Sequence, residues 1–276
     1  MKRITRVLAG ALAVLSAGAL AVPAAAQDDR GHIVVQSTTS TEASGLFDHL
    51  LPKFETMTGI DVRVVAVGTG QAIENARNGD GDVLLVHHVP GELKTVADGH
   101  TKRRHPLMYN QFVIVGPTDD PAGVNGMRNA AKALTKIAGA QAPFASRGDD
   151  SGTHRAELAL WDAAGVNVAD AGGWYRETGA GMGETLNTAV QMGAYVLTDT
   201  STWLNYGNKG DYTIHVQGDT RQRNQYGVHV VNPAKHDHVK VQKARAFVDW
   251  LVSPTGQRAI AGYTIDGQQA FTPNAR

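Results

Sequence analysis

The sequence predicts an α/β fold in two lobes, each a mostly parallel sheet flanked by helices. Three observations carry this. In the first half, short apolar runs alternate with helix-period segments through short joints. The alternation restarts after a Pro/Gly/Asp-rich stretch at 117–126. A late strand followed by two short helices then offers a return path to the first lobe.

The elements follow in chain order. His32 to Gln36 is a strand that runs into Ser37-Thr38-Thr39-Ser40-Thr41. A helix follows, with Leu46, Phe47, Leu50, Phe54 and Met57 on its inward face, Gly59 as its stop and Pro52 kinking or dividing it. Asp61 to Val67 is a strand entering Gly68-Thr69-Gly70, and the next helix carries Ile73 and Ala76 and stops at Gly79. Asp82 to His87 is a third strand, and Met108 to Gly116 a fourth. Pro117 to Gly126 reads as a crossing between lobes. Beyond it come a helix at 129–138, a strand near Ala142 to Ser146 and a helix at 152–164. Ala194 to Thr198 and Tyr226 to Val231 are later strands, and Val239 to Ala261 holds two helices separated by Ser253-Pro254.

Composition narrows the function classes. The chain of 276 residues carries 26 basic and 26 acidic side chains, which argues against a nucleic-acid partner. The absence of cysteine excludes disulfide scaffolds, thiolate metal sites and cysteine nucleophiles, and a lipid-modified cysteine as anchor. Lys2, Arg3 and Arg6 precede an apolar run from Val7 to Val22 and the small residues Ala24-Ala25-Ala26. That order reads as a cleavable signal peptide over 1–26, so the mature chain is exported, mildly acidic and periplasmic.

Chemistry concentrates at four places where a strand meets a helix start: Ser37-Thr38-Thr39-Ser40, Gly68-Thr69-Gly70, Ser146–Thr153 and Gly179-Ala180-Gly181-Met182-Gly183. A helix start exposes unpaired N–H groups and the positive end of the dipole, hydroxyls add neutral donors, and glycine admits close approach. One such turn is ordinary capping. Four together, two in each lobe, point to one anion shared between the lobes. Arg147 is the only arginine within these turns and offers a planar, permanently charged donor pair. Asp149 and Asp150 could cap, orient Arg147, or accept a proton from a protonated ligand.

Other constellations are weaker. Gly148-Asp149-Asp150-Ser151-Gly152 is out of register with a serine-protease motif, and His154 follows Ser151 with no buried acid in view, so a secreted serine hydrolase is a distant alternative. Metal-cation binding is another, but His87 and His88 would point to opposite faces of a strand, and His236 and His238 lack a third ligand. All four are read as solvated or structural, and no metal site or cofactor is expected.

These turns, with Ser44-Gly45-Leu46, Val67–Gln71, Gly79–His87, Met108-Tyr109-Asn110, Phe112–Pro117, Ser146–His154, Gly181-Met182-Gly183 and Phe247–Gly262, resemble the tungstate-binding components of tungstate ABC importers. The likeness covers nearly the whole mature chain. Two positions depart from that family's pattern: Ser37 stands for a Thr and keeps the hydroxyl, and Gln111 stands for an Asp near the lobe crossing. The resemblance implies a two-lobed periplasmic binding protein fold, class II-like, with a two-crossing hinge. Residues 27–115 and 224–276 would form lobe I, and 116–223 lobe II. It also implies tungstate as ligand, with molybdate as a near-isostere, held by Thr38, Thr39, Ser40, Thr69, Arg147, Ser151 and Thr153. It implies a membrane permease as partner, a monomer in solution, and no catalysis. The alternative within binding proteins is phosphate, because the run Arg147–Thr153 also resembles the loop of phosphate-binding proteins. An Asp acceptor facing the ligand would favour that protonated anion.

Overall fold

The computed structural model describes residues 31–275. The signal segment 1–26 lies outside the described residues. Strand β1 (His32–Thr38) runs parallel to β2 (Asp61–Val67) and β3 (Val83–Val86), with helices α1 (Thr39–Ala43), α2 (Leu46–Thr58) and α3 (Thr69–Asn78) in the crossovers. After α4 (Val89–Ala97) comes the long strand β4 (His105–Pro117). Then follow α5 (Ala130–Gly139), β5 (Phe144–Ser146), α6 (Gly152–Ala163), β6 (Tyr175–Glu177) and α7 (Met182–Met192). β7 (Tyr195–Asp199), α8 (Thr200–Asn205), β8 (Tyr212–Val216) and β9 (Arg223–Val230) lead to α9 (Val241–Val252) and α10 (Pro254–Ala261). The chain closes with a hairpin, β10 (Thr264–Ile265) and β11 (Gln268–Gln269), and a short β12 (Thr272–Pro273).

The main sheet has the order β2-β1-β3-β9-β4-β7-β5-β6, with β8 and β12 also paired to β4. Its flanks are parallel. Its middle is antiparallel, because β9 pairs antiparallel with β3 and β4, and β4 with β7 and β8. The period of two along each strand divides the cores. Val83 and Leu85 join the cluster under α2 and α9, whereas Leu84 and Val86 face Ala72, Ile73 and Ala76 of α3. On β4, Leu107 and Met108 belong to the first cluster, Phe112 and Ile114 pack with α5 and α6, and Val113 and Val115 pack with α7. One strand therefore serves both halves.

Three expectations need correction. The crossing is not at 117–126: β4 changes partner within itself, Gln111 opposite Arg223 of β9 and Phe112 opposite Asp199 of β7. Residues 117–126 stay in the second half, where the Tyr195 hydroxyl donates to Asp120 Oδ1 at 2.6 Å and accepts from Ala122 N at 3.0 Å. A continuous β4 keeps its ladder bonds paired through the crossing, which an irregular loop would forfeit. Pro52 does not divide its helix, since α2 is a single element with buried Leu46, Phe47, Leu50 and Phe54 on both sides of it. Burying four such side chains outweighs the roughly 3 kcal/mol that an internal proline costs. Met57 shares the inward stripe by period, yet it is 57% exposed because it sits in the last turn, beyond the core contacts that end at Phe54.

Candidate anion-binding site

All four hydroxyl- and glycine-rich turns sit at carboxyl ends of parallel strands, after β1, β2, β5 and β6, and lead into α1, α3, α6 and α7. They meet. Arg147 Nη2 donates to Thr39 Oγ1 at 3.2 Å, and Gly152 N donates to Thr69 Oγ1 at 2.6 Å. Gly68 approaches the Asp149 backbone, and Gly181 lies beside the Thr39 side chain. A cavity of about 540 Å³ opens between them, lined by Thr39, Gly68, Gly70, Asp149, Asp150 and Gly179–Gly181 among others.

Hydrogen-bond direction sorts the seven expected ligand residues. A hydroxyl that accepts from a protein N–H keeps its own proton free to donate elsewhere. Thr39 accepts from Arg147, Thr69 from Gly152 N, and Ser151 Oγ from His154 N at 3.2 Å. Thr153 Oγ1 and Arg147 Nη1 are buried and have no partner among the described residues. Five of the seven residues therefore present unspent donors. The remaining two do not: Thr38 Oγ1 accepts from Thr41 N and lies 2.7 Å from Thr41 Oγ1, and both Thr38 and Ser40 hydroxyls lie against His87 Nε2. From that turn, the helix-start N–H groups of Thr39 and Ser40 remain as donors.

Arg147 is 1% exposed, and its Nε donates to Ala180 O at 2.8 Å, so the guanidinium is fixed against the α7 turn. Burial pulls its proton affinity down, and the Asp149 carboxylate is the largest opposing influence. Asp149 is fully engaged: one oxygen accepts from Arg147 Nη2 and the other from Ser151 N at 3.1 Å. Asp150, at φ +56°, pairs with Arg155. Each oxygen of both carboxylates already accepts a hydrogen bond from the protein.

The Ser151–His154 pair is a helix cap, because Ser151 Oγ meets the backbone of His154 and the imidazole Nδ1 accepts from Asp150 N at 3.1 Å. His236 and His238 are structural: their Nε2 atoms donate to Arg77 O and Gly79 O at the end of α3. Among the described residues no group of three His, Asp or Glu side chains could hold a metal ion.

Sequence reasoning missed three buried groups. His87 lies under the first turn, with Nε2 2.9 Å from Ser40 Oγ and Nδ1 2.9 Å from Asn224 Oδ1. Burial lowers its proton affinity against the pull of Asp199 and Glu92. Nothing local in Val86-His87-His88 marks this, since Asn224 is brought in from β9. Asp199-Thr200-Ser201-Thr202 repeats the strand-to-hydroxyl pattern of the other turns and was findable by it. Its Thr202 Oγ1 donates to Ser40 O at 3.2 Å, joining the two halves. Behind Arg147, the Glu157 carboxyl is buried, accepts from Trp161 Nε1 and Tyr175 OH, and is pushed up to about 7 by desolvation.

Comparison with known proteins agrees with this geometry. Residues 22–255 match the PBP superfamily domain. The chain is 43% identical to the tungstate-binding protein TupA of Peptoclostridium acidaminophilum, over 89% of this chain and 87% of that one. It is 44% identical to the solved tungstate-binding protein TupA of Desulfovibrio alaskensis G20, with a TM-score of 0.76 over 89% of this chain and 100% of the other. The tungstate ABC transporter structure from Geobacter sulfurreducens is 45% identical, with a TM-score of 0.78 over 84% and 98%.

Proposed function

We propose, on the premise that the chain belongs to the PBP superfamily and within it to the family of tungstate-binding proteins, that it captures tungstate and delivers it to an ABC permease. The observation that carries this reading is the set of unspent donors: Arg147 Nη1 and the Thr153 hydroxyl without partners among the described residues, and three hydroxyls oriented by N–H groups. Tungstate is a fully deprotonated dianion at neutral pH, so a shell of donors suits it. Charge-assisted hydrogen bonds contribute about 1.5–3 kcal/mol each. Five or more offset desolvation and reach the roughly −12 kcal/mol of nanomolar binding. Phosphate needs an acceptor for its proton, and Asp149, in the cavity lining and already accepting from Arg147 and Ser151, is the residue whose role separates the two anions.

In this reading the lobes divide at the partner switch of β4, with residues 31–111 and 223–275 in one and 112–222 in the other, hinged where β4 and β9 cross. The protein is exported by cleavage of 1–26, works as a monomer in the periplasm, and does no chemistry on its ligand. Molybdate, of nearly equal size and charge, competes. Calorimetric titration of the mature chain with tungstate, molybdate, sulfate and phosphate tests the reading. Expected is tight one-to-one binding of the first two, and loss of at least about a hundredfold in Arg147→Ala, the scale of a buried charged donor. Wild-type affinity in Arg147→Ala, or a preference for phosphate, would sink it.

A further inference from the structure

The polarity of one buried hydrogen-bond chain is fixed by a single group. Asp199, wholly buried, can only accept while ionised. Asn110 Nδ2 therefore donates to Asp199 Oδ1 at 2.6 Å, which leaves Asn110 Oδ1 to accept from Asn224 Nδ2 at 2.8 Å. Asn224 Oδ1 must then accept from His87 Nδ1–H at 2.9 Å. In the neutral imidazole, Nε2 is left as an acceptor for the Ser40 or Thr38 hydroxyl proton. The chain starts beside α8, runs through both crossing strands β4 and β9, and ends under the anion turn of β1. Each of Asp199, Asn110, Asn224, His87 and Ser40 is at most 6% exposed.

We propose that His87 is a positioning residue for anion capture, the adjustable end of a hydrogen-bond chain whose direction Asp199 sets across the hinge. This rests on the anion-binding reading above. With His87 neutral, the Ser40 proton is turned into the protein and is lost to the anion. A proton on Nε2 reverses only that last link: Nε2–H donates to Ser40 Oγ, and the Ser40 hydroxyl proton becomes a donor towards the cleft. The other links keep their direction.

The charges facing the ring determine when this happens. Gly152, at the positive start of α6, meets the ring edge, and Arg147 adds a second repulsion. Arg155, Arg221 and Arg223 line the small cavity that His87 and Gly152 also line. Glu92 of α4 and Asp199 attract a proton, while Tyr226 of β9 stacks on the ring at 4.9 Å and carries no charge. A dianion seated at the α6 start cancels the repulsion from the helix end and Arg147. Anion and proton therefore bind cooperatively, and each raises the affinity of the other by the same factor.

The test is a tungstate titration of the mature chain at micromolar concentration, between about pH 5 and about pH 8, the range in which an imidazole charges. Wild-type affinity is expected to rise as pH falls, by at most about tenfold per unit for one coupled proton. His87→Gln can donate to Asn224 and accept from Ser40 but cannot be protonated. It should match wild type at the high end and show a flatter profile, retaining only the slope that other groups such as Glu157 and His88 contribute. His87→Phe, folded by circular dichroism, should bind about tenfold or more weakly at every pH because it orphans the buried Asn224 oxygen. Superimposable profiles for wild type and His87→Gln would overturn the inference alone. No tungstate binding by wild type at any pH would overturn the function reading, and this inference with it.

Discussion

The Thr153 hydroxyl is where the proposed ligand role and a purely structural one predict opposite outcomes. It is buried and makes no hydrogen bond among the described residues, so in the free protein it contributes cost without return. Thr153→Val should leave the free protein as stable or more stable by about 1 kcal/mol, while tungstate affinity falls about tenfold. Thermal melting with and without tungstate reads both numbers. A variant that loses stability and keeps its affinity would make Thr153 an ordinary packing residue. Much of the residue scale was open to sequence reasoning, because Ser, Thr, Gly and Arg at strand-to-helix joints have few other uses in combination. The family resemblance gives Thr38 and Ser40 the same ligand role as Thr39. Only the side-chain partners distinguish them: Thr39 accepts from Arg147, whereas Thr38 and Ser40 face His87.

At the scale of elements, the site depends on helix starts brought into contact. The start of α6 touches the turn after β2 through Gly152, whose N–H reaches Thr69 and where an added Cβ would lie 3.0 Å from both Thr69 Oγ1 and His87 Cε1. Gly152→Ala should obstruct closure rather than folding, since separating the lobes relieves the clash. Expected are a melting temperature close to wild type, weakened tungstate binding, and less contraction on tungstate addition in small-angle scattering. A wild-type contraction would show that this contact is not part of closure. Strand and helix identities were legible from period and glycine stops, as with α2 ending at Gly59 and α3 at Gly79. The site of the crossing was not legible. Pro117–Gly126 has loop composition, but composition does not show that β4 continues unbroken from one set of partners to another.

For the whole molecule, buried ionisable groups tie stability to pH. Glu157 has a folded-state pKa raised to about 7 from 4.5, chiefly by desolvation. A raised carboxyl contributes stability that is fully present below about 4.5 and is lost as pH rises through about 7, at up to about 1.4 kcal/mol per unit. Glu157→Gln should remove that loss, so melting temperatures of variant and wild type should diverge as pH rises from about 5 to about 8. Parallel curves would mean that Glu157 stays ionised in the fold. The sequence by itself determined the α/β class and the places of the four glycine- and hydroxyl-rich strand-to-helix turns, because strand period, helix stops and turn composition are local properties. The tertiary structure alone decided which turn hydroxyls meet Arg147, Gly152 and His87, and that His87 ends a chain anchored at Asp199. Those outcomes depend on partners 47 to 137 residues apart in sequence, which meet only when the strands have paired, and no local pattern encodes the direction of a hydrogen bond.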